Sequence, residues 1–110
     1  MEFDFKINND NWKIIEKDTK TLVDKYNSEN EDTSSFVFGV TIYPKHEIWI
    51  NKDMCKEQKI KTLKHELTHC YIWNYGLYNV PHYTDEMVCD LVSSCSDYIQ
   101  NIVKRYEEVI

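Results

Sequence analysis

The chain has 110 residues, a formal charge of −6, and twelve lysines against a single arginine. That length suits one compact domain spanning 1–110, and the charge is wrong for a nucleic-acid groove, whose phosphate contacts need clustered Lys and Arg. No run of eighteen apolar residues occurs, and the opening MEFDFKINND carries neither the basic nor the apolar part of a signal peptide, so the sequence predicts a cytoplasmic protein without a membrane span.

In chain order, Trp12, Ile15, Leu22, Val23 and Tyr26 predict a first helix over 9–26, with Asn9 or Asp10 as its cap. The polar stretch 28–35 is a turn region, and FVFGVTIY (36–43) reads as a strand rich in aromatic and β-branched residues. Pro44, Lys45 and His46 break it, and EIWIN (47–51) follows closely enough to complete an antiparallel hairpin. Ile60, Leu63, Leu67, Cys70, Tyr71 and Asn74 keep three- and four-residue spacing, which predicts a second helix stopped at Gly76. After the loop LYNVPHY (77–83), Thr84 can cap a last helix. Its first turn is acidic at Asp85 and Glu86, and its apolar stripe runs from Met87 and Val88 to Val103 and Tyr106. The expected fold is α+β: an N-terminal helix, an antiparallel hairpin or slightly larger sheet, then two helices.

The second helix contains KHELTHCYIW (64–73), which holds two of the four histidines, His65 and His69, with Glu66 beside the first. Side chains four apart on a helix lie on one face, so both imidazoles can aim at one point and share a zinc ion through bonds of about 2.0 to 2.1 Å. Glu66, turned about 100° from His65, stays off the ion but within reach of a water there, the place a general base requires. The bland alternative, surface histidines on a polar face, is disfavoured by the Leu63, Leu67 and Tyr71 stripe, which places both rings at the margin of the core-facing side.

A catalytic zinc usually takes three protein ligands. Glu86 and Asp90, four apart on the last helix, offer a third ligand and a carboxylate to receive the N–H of a ligating imidazole, respectively. His82 is the competing third ligand, and Asp85 a remoter one. Cys70 and Cys89 adjoin His69 and Asp90 but fall one residue off the ligand faces, which predicts core packing. All four cysteines are read as reduced thiols.

HELTH followed by EMVCD, with Glu86 twenty-one residues after His65, resembles the zincin metallopeptidases of the gluzincin type, and the element order resembles the minimal zincin core of small phage and mobile-element proteins related to the ImmA/IrrE group. The resemblance implies a zinc-dependent peptidase with one zinc per chain held by His65, His69 and Glu86, and Glu66 as the base. It also implies a protein or peptide substrate added as a strand to the sheet edge, for which HEIWIN (46–51) is the candidate. Tyr75, Tyr78 or Tyr83 could donate a hydrogen bond to the oxyanion. A third ligand at His82 would point instead to the SprT-like neighbours. The reading from a different class is a non-catalytic, zinc-stabilised binding protein acting on a host or phage protein. Glu66 separates the two, since hydrolysis requires it and a structural site does not. Oligomeric state is not legible in these residues.

Overall fold

The computed structural model describes residues 1–30, 33–74 and 85–110; the side chains at 85, 86, 88, 90, 93 and 94 lie outside that description. The described elements, in chain order, are strands β1 (Glu2–Ile7) and β2 (Asp10–Lys17), helix α1 (Thr19–Glu29), strands β3 (Gly39–Ile42) and β4 (Glu47–Asn51), and helices α2 (Lys56–Asn74) and α3 (Asp85–Val109). The fold is α+β, with one mixed four-stranded sheet in the order β1-β2-β4-β3.

The N-terminal segment corrects the expected helix over 9–26. Phe3, Phe5 and Ile7 alternate, as do Trp12 and Ile14, and Ile7 pairs with Asp10 across the two-residue turn Asn8–Asn9. Asn8 takes the left-handed conformation (φ 55°) that such turns favour and that Asn tolerates well. The spacing of three between Trp12 and Ile15 fits a helix, but the period of two running through both segments prevails. The helix begins later, at Thr19, and its cap is Asp18 rather than Asn9 or Asp10: the Asp18 carboxylate accepts from the Thr21 N–H at 2.8 Å.

The expected hairpin is present as β3 and β4, antiparallel, with His46 closing the turn in the left-handed region (φ 53°). Its first strand is shorter than 36–43, and before Gly39 the contact with β4 continues through Asn51. Phe38 O accepts from Asn51 N at 2.9 Å, and Val37 O from Asn51 Nδ2 at 3.0 Å. The sheet corrects a second expectation. β4 pairs in parallel with β2 on one side and antiparallel with β3 on the other, so 46–51 is a central strand and not the open edge expected to receive a substrate.

One face of this sheet is apolar in cross-strand rows. Phe3 pairs with Ile14, Ile14 with Ile48, and Ile48 with Thr41; a parallel row runs Glu16, Ile50, Gly39. Against that face pack Leu63, Leu67, Cys70 and Tyr71 of α2 and Cys95, Ile102, Val103 and Tyr106 of α3, forming one core. Leu63 and Leu67, fully buried, each contribute about 1.5–3 kcal/mol of transfer free energy. Glu16 is the charged member of these rows, and Lys59 of α2 reaches down to pair with it, both side chains being largely buried. A buried carboxylate needs such a partner, so the pair also registers α2 along the sheet. No described helix is long and apolar enough to cross a membrane.

The start of α1 is tied to the chain just before α2. Asp53 accepts from both the Thr19 N–H (3.1 Å) and the Thr19 hydroxyl (2.8 Å). Hydrogen bonds from Thr21 to Asp18 and from Thr19 to Asp53 hold both carboxyls below their ordinary value. Groups with depressed folded values stabilise the fold above the unfolded value and lose that contribution as pH falls through the folded one. The double variant Asp18→Asn/Asp53→Asn is therefore expected to unfold at lower urea than the parent near neutrality, with the difference closing below about pH 4. Urea midpoints measured against pH check this; a constant difference down to pH 2 would exclude it.

Candidate active site

The motif lies in the middle of α2, where the apolar stripe turns the helix so that Leu63, Glu66, Leu67 and Cys70 face inward. His65 and His69 are both exposed, further out than the core margin expected for them, while Glu66 is only 7% exposed. The buried polar residue of the motif is thus the carboxylate and not the imidazoles. One turn of helix brings the two rings together: the Nε2 atoms are 3.1 Å apart and the ring planes are at 79°. Two nitrogens bound to one tetrahedral ion at about 2.0 to 2.1 Å each stand about 3.3 Å apart. The spacing of the two donors therefore matches that of two ligands on one zinc ion.

Glu66 is held from the sheet. Its Oε2 accepts from the Thr41 hydroxyl at 2.5 Å, and Thr41 stands on the helix-facing side of β3. Among the described residues Oε1 accepts no hydrogen bond, so it is the oxygen left to meet a water. A charge-assisted hydrogen bond of this kind offsets part of the cost of burying the carboxylate. Cys70, one turn further along α2, lies near the same groups; burial first, and the Glu66 carboxylate second, push its thiol well above its ordinary value. It is a buried, protonated core residue, as its position off the ligand face predicted. Cys89 is exposed, so its predicted place in the core is corrected. The remaining cysteines divide the same way: Cys95 is buried and Cys55 exposed, and all four are free thiols.

The helix and strand come this close because position 39 is glycine. A Cβ built there would lie 2.8 Å from Thr62 Cγ2, 3.1 Å from the Trp49 carbonyl oxygen and 3.4 Å from Glu66 Cγ. An isolated Gly among the aromatic and β-branched residues of FVFGVTIY is the sequence signal that could have located this contact, since it marks a close backbone approach. Thr41 gives no such signal, because a polar residue alternating with Val and Ile is ordinary in a strand.

β3 is the edge of the sheet on this side. Phe38 O bonds to Asn51 N, and alternation then turns Val40 and Ile42 toward β4 and leaves the N–H and C=O groups of Gly39 and Thr41 pointing away from it. Among the described residues no strand pairs with these groups, and they lie beside Glu66. A groove of about 430 Å³ opens along the same edge, with Gly39, Thr62, His65 and Glu66 in its lining.

The other predicted site residues divide by position. Glu86 and Asp90 belong to the first turns of α3, but their side chains lie outside the described residues, as do Tyr75, Tyr78, His82 and Tyr83 entirely. Farther along α3, Leu91 and Cys95 share a groove with Lys64 and Thr68 of α2. Among the described residues no group of three metal-ligating side chains occurs. His46 is not part of the site: its ring stacks on Trp12 at 4.6 Å, on the far side of the turn that precedes β4.

Comparison with protein-family models, with curated proteins and with solved structures finds no match for this chain. Its chemistry has to be read from its own groups.

Gly39→Ala is expected to lower stability by about 1–3 kcal/mol through overpacking against Thr62 and the Trp49 carbonyl. Urea unfolding monitored by tryptophan fluorescence measures it. A neutral or stabilising outcome would mean that β3 and α2 separate without cost.

Proposed function

We propose that this chain is a zinc-dependent metallopeptidase of the zincin type that hydrolyses peptide bonds with Glu66 as general base. The observation that carries the reading is the joint arrangement of the motif: His65 and His69 converge to 3.1 Å at the surface while Glu66 alone turns inward, fixed by Thr41. A pair of surface histidines without a shared task has no reason to stand beside a buried carboxylate braced from another element.

In this reading His65 Nε2, His69 Nε2 and the Glu86 carboxylate would hold one zinc, and Asp90 would receive the outer N–H of a ligating imidazole. Zinc, when bound, supplies Lewis-acid polarisation of the scissile carbonyl and lowers the pKa of water toward neutrality. Glu66 takes the proton of the attacking water through Oε1 and returns it to the leaving amine. Thr41 keeps the carboxylate in one rotamer through both transfers, so little ordering remains to be done at the moment of reaction. The substrate lies as an added strand on the Gly39 and Thr41 backbone groups of β3, which replaces the central strand 46–51 as the docking edge.

The purified protein is expected to bind about one zinc per chain, and Glu66→Gln to keep the zinc while losing hydrolysis. Elemental analysis and cleavage of a denatured protein mixture, with and without chelator, test both; absence of zinc uptake, or full activity in the variant, would overturn the reading. Asp90→Asn is expected to weaken zinc binding about 10- to 100-fold, Glu86→Ala to weaken it more, and His82→Ala to leave it nearly unchanged. Titration against a competing chelator places the three on one scale. Loss of zinc in His82→Ala with retention in Glu86→Ala would make His82 the third ligand.

A further inference from the structure

The groove beside β3 has walls of different chemistry. Gln58, Lys61, Thr62 and His65 follow the i, i+3, i+4, i+7 spacing of one helix face and make one wall, about 10 Å long, with His65 at its end. That length accommodates about three residues of an extended peptide. Phe36 and Phe38 stand opposite, 41% and 50% exposed, with ring centroids 5.1 Å apart in an edge-to-face arrangement. Two adjacent exposed rings are an unusual surface feature, and the loop that carries them is built to present them. Asn27 Oδ1 accepts from Ser34 N at 2.9 Å, the Ser34 hydroxyl donates to Phe36 O at 2.7 Å, and the fully buried Asn51 donates to the carbonyl of Val37 between the rings. The intervening Val37 points inward and is buried, so the alternation of the segment turns both phenyl groups outward.

The charge in the groove is equally specific. Lys61 is exposed and, among the described residues, makes no ion pair, whereas Lys59 is committed to Glu16. Glu66, the acidic group of the lining, is turned into the protein and bonded to Thr41. On a chain with a net charge of −6, Lys61 sets a positive charge on the helical wall of this groove.

We infer that this groove is a specificity site for an extended peptide carrying a large apolar side chain, packed on Phe36 and Phe38, and an acidic side chain opposite Lys61, both within about three residues of the bond presented to Glu66. The inference rests on the peptidase reading of the same site and adds which peptides it takes. Backbone pairing to Gly39 and Thr41 supplies affinity without sequence preference, and the Phe pair and Lys61 supply the selection. The acidic preference weakens with salt because Lys61 is exposed.

The test uses the full chain loaded with zinc and a peptide library randomised around its centre, with products identified by mass spectrometry. In parallel, fluorescence anisotropy measures binding to the Glu66→Gln protein of two labelled peptides, one containing Phe and Glu and one in which both are Ser. Enrichment of large apolar and acidic residues on one side of the cleaved bond is expected. Phe36→Ser/Phe38→Ser should reduce kcat/KM for apolar-bearing peptides about tenfold, and Lys61→Glu should reverse the charge preference toward Lys and Arg. All three side chains are exposed, so these variants keep the core intact. Cleavage without side-chain preference, or an unchanged preference in Lys61→Glu, overturns the specificity site and leaves the peptidase reading standing. Absence of cleavage together with selective binding of the Phe/Glu peptide, lost in both variants, overturns the peptidase reading and leaves the groove's selectivity standing. Neither cleavage nor selective binding overturns both.

Discussion

The contact between α2 and β3 at Gly39 governs the arrangement of everything else at the site, because the missing side chain lets the helix lie directly on the strand edge. Thr62 and Glu66 of α2 lie over Gly39, and the adjoining Thr41 then stands where its hydroxyl meets the Glu66 carboxylate. Moving the helix outward to accommodate a side chain would lengthen that hydrogen bond and leave a buried carboxylate uncompensated, a penalty of a few kcal/mol. The geometry of the base is therefore set by a packing distance, and the exposed histidines one position before and three after follow from the helical repeat.

Two further buried polar groups hold the same register from other directions. The Lys59 and Glu16 pair anchors the N-terminal half of α2 to β2, one strand beyond the strand that neighbours β3. Asn51, at the end of β4, joins the Val37 carbonyl, the Thr19 hydroxyl and the Asp53 N–H. It thereby connects the loop of the Phe pair to the start of α1 and the approach to α2. Such residues make fully satisfied polar contacts inside an apolar core, which specify one arrangement among the many that hydrophobic burial alone would allow. Two buried donors stand outside this scheme: Trp12 Nε1 and Tyr106 Oη have no hydrogen-bond partner among the described residues. Burial also raises the Tyr106 hydroxyl above its ordinary value. Both side chains are large and fully enclosed, and the apolar area they bury outweighs an unmade hydrogen bond of about 1–3 kcal/mol each.

Legibility in the sequence differed sharply along the chain. The helix carrying the motif was readable because its apolar residues keep helical spacing over four turns, and α3 for the same reason. The β3–β4 hairpin was readable from β-branched residues either side of Pro44. The segment 9–17 reads as helix because Trp12, Ile15 and Leu22 fit a helical stripe locally, while the competing alternation of Phe3, Phe5, Ile7, Trp12 and Ile14 is split by a turn whose only mark is Asn8–Asn9. The place of 46–51 was misread for another reason. Whether a strand is an edge depends on what pairs beyond it, and β2 pairs with β4 through a parallel contact between segments more than thirty residues apart.

From the residues alone came the pairing of His65 with His69 on one helical turn, the position of Glu66 beside them, and the α+β class. Each of these is local: it depends on a repeat of 3.6 or of 2 that any stretch of chain obeys wherever it is placed. Only the tertiary structure decided that Glu66 turns inward while the histidines face out, that Thr41 holds it, and that β3, with Phe36, Phe38 and Lys61 along its groove, is the open edge beside it. These are relations between segments distant in sequence, and they are set by which faces can be buried together. No periodicity within one segment records that choice.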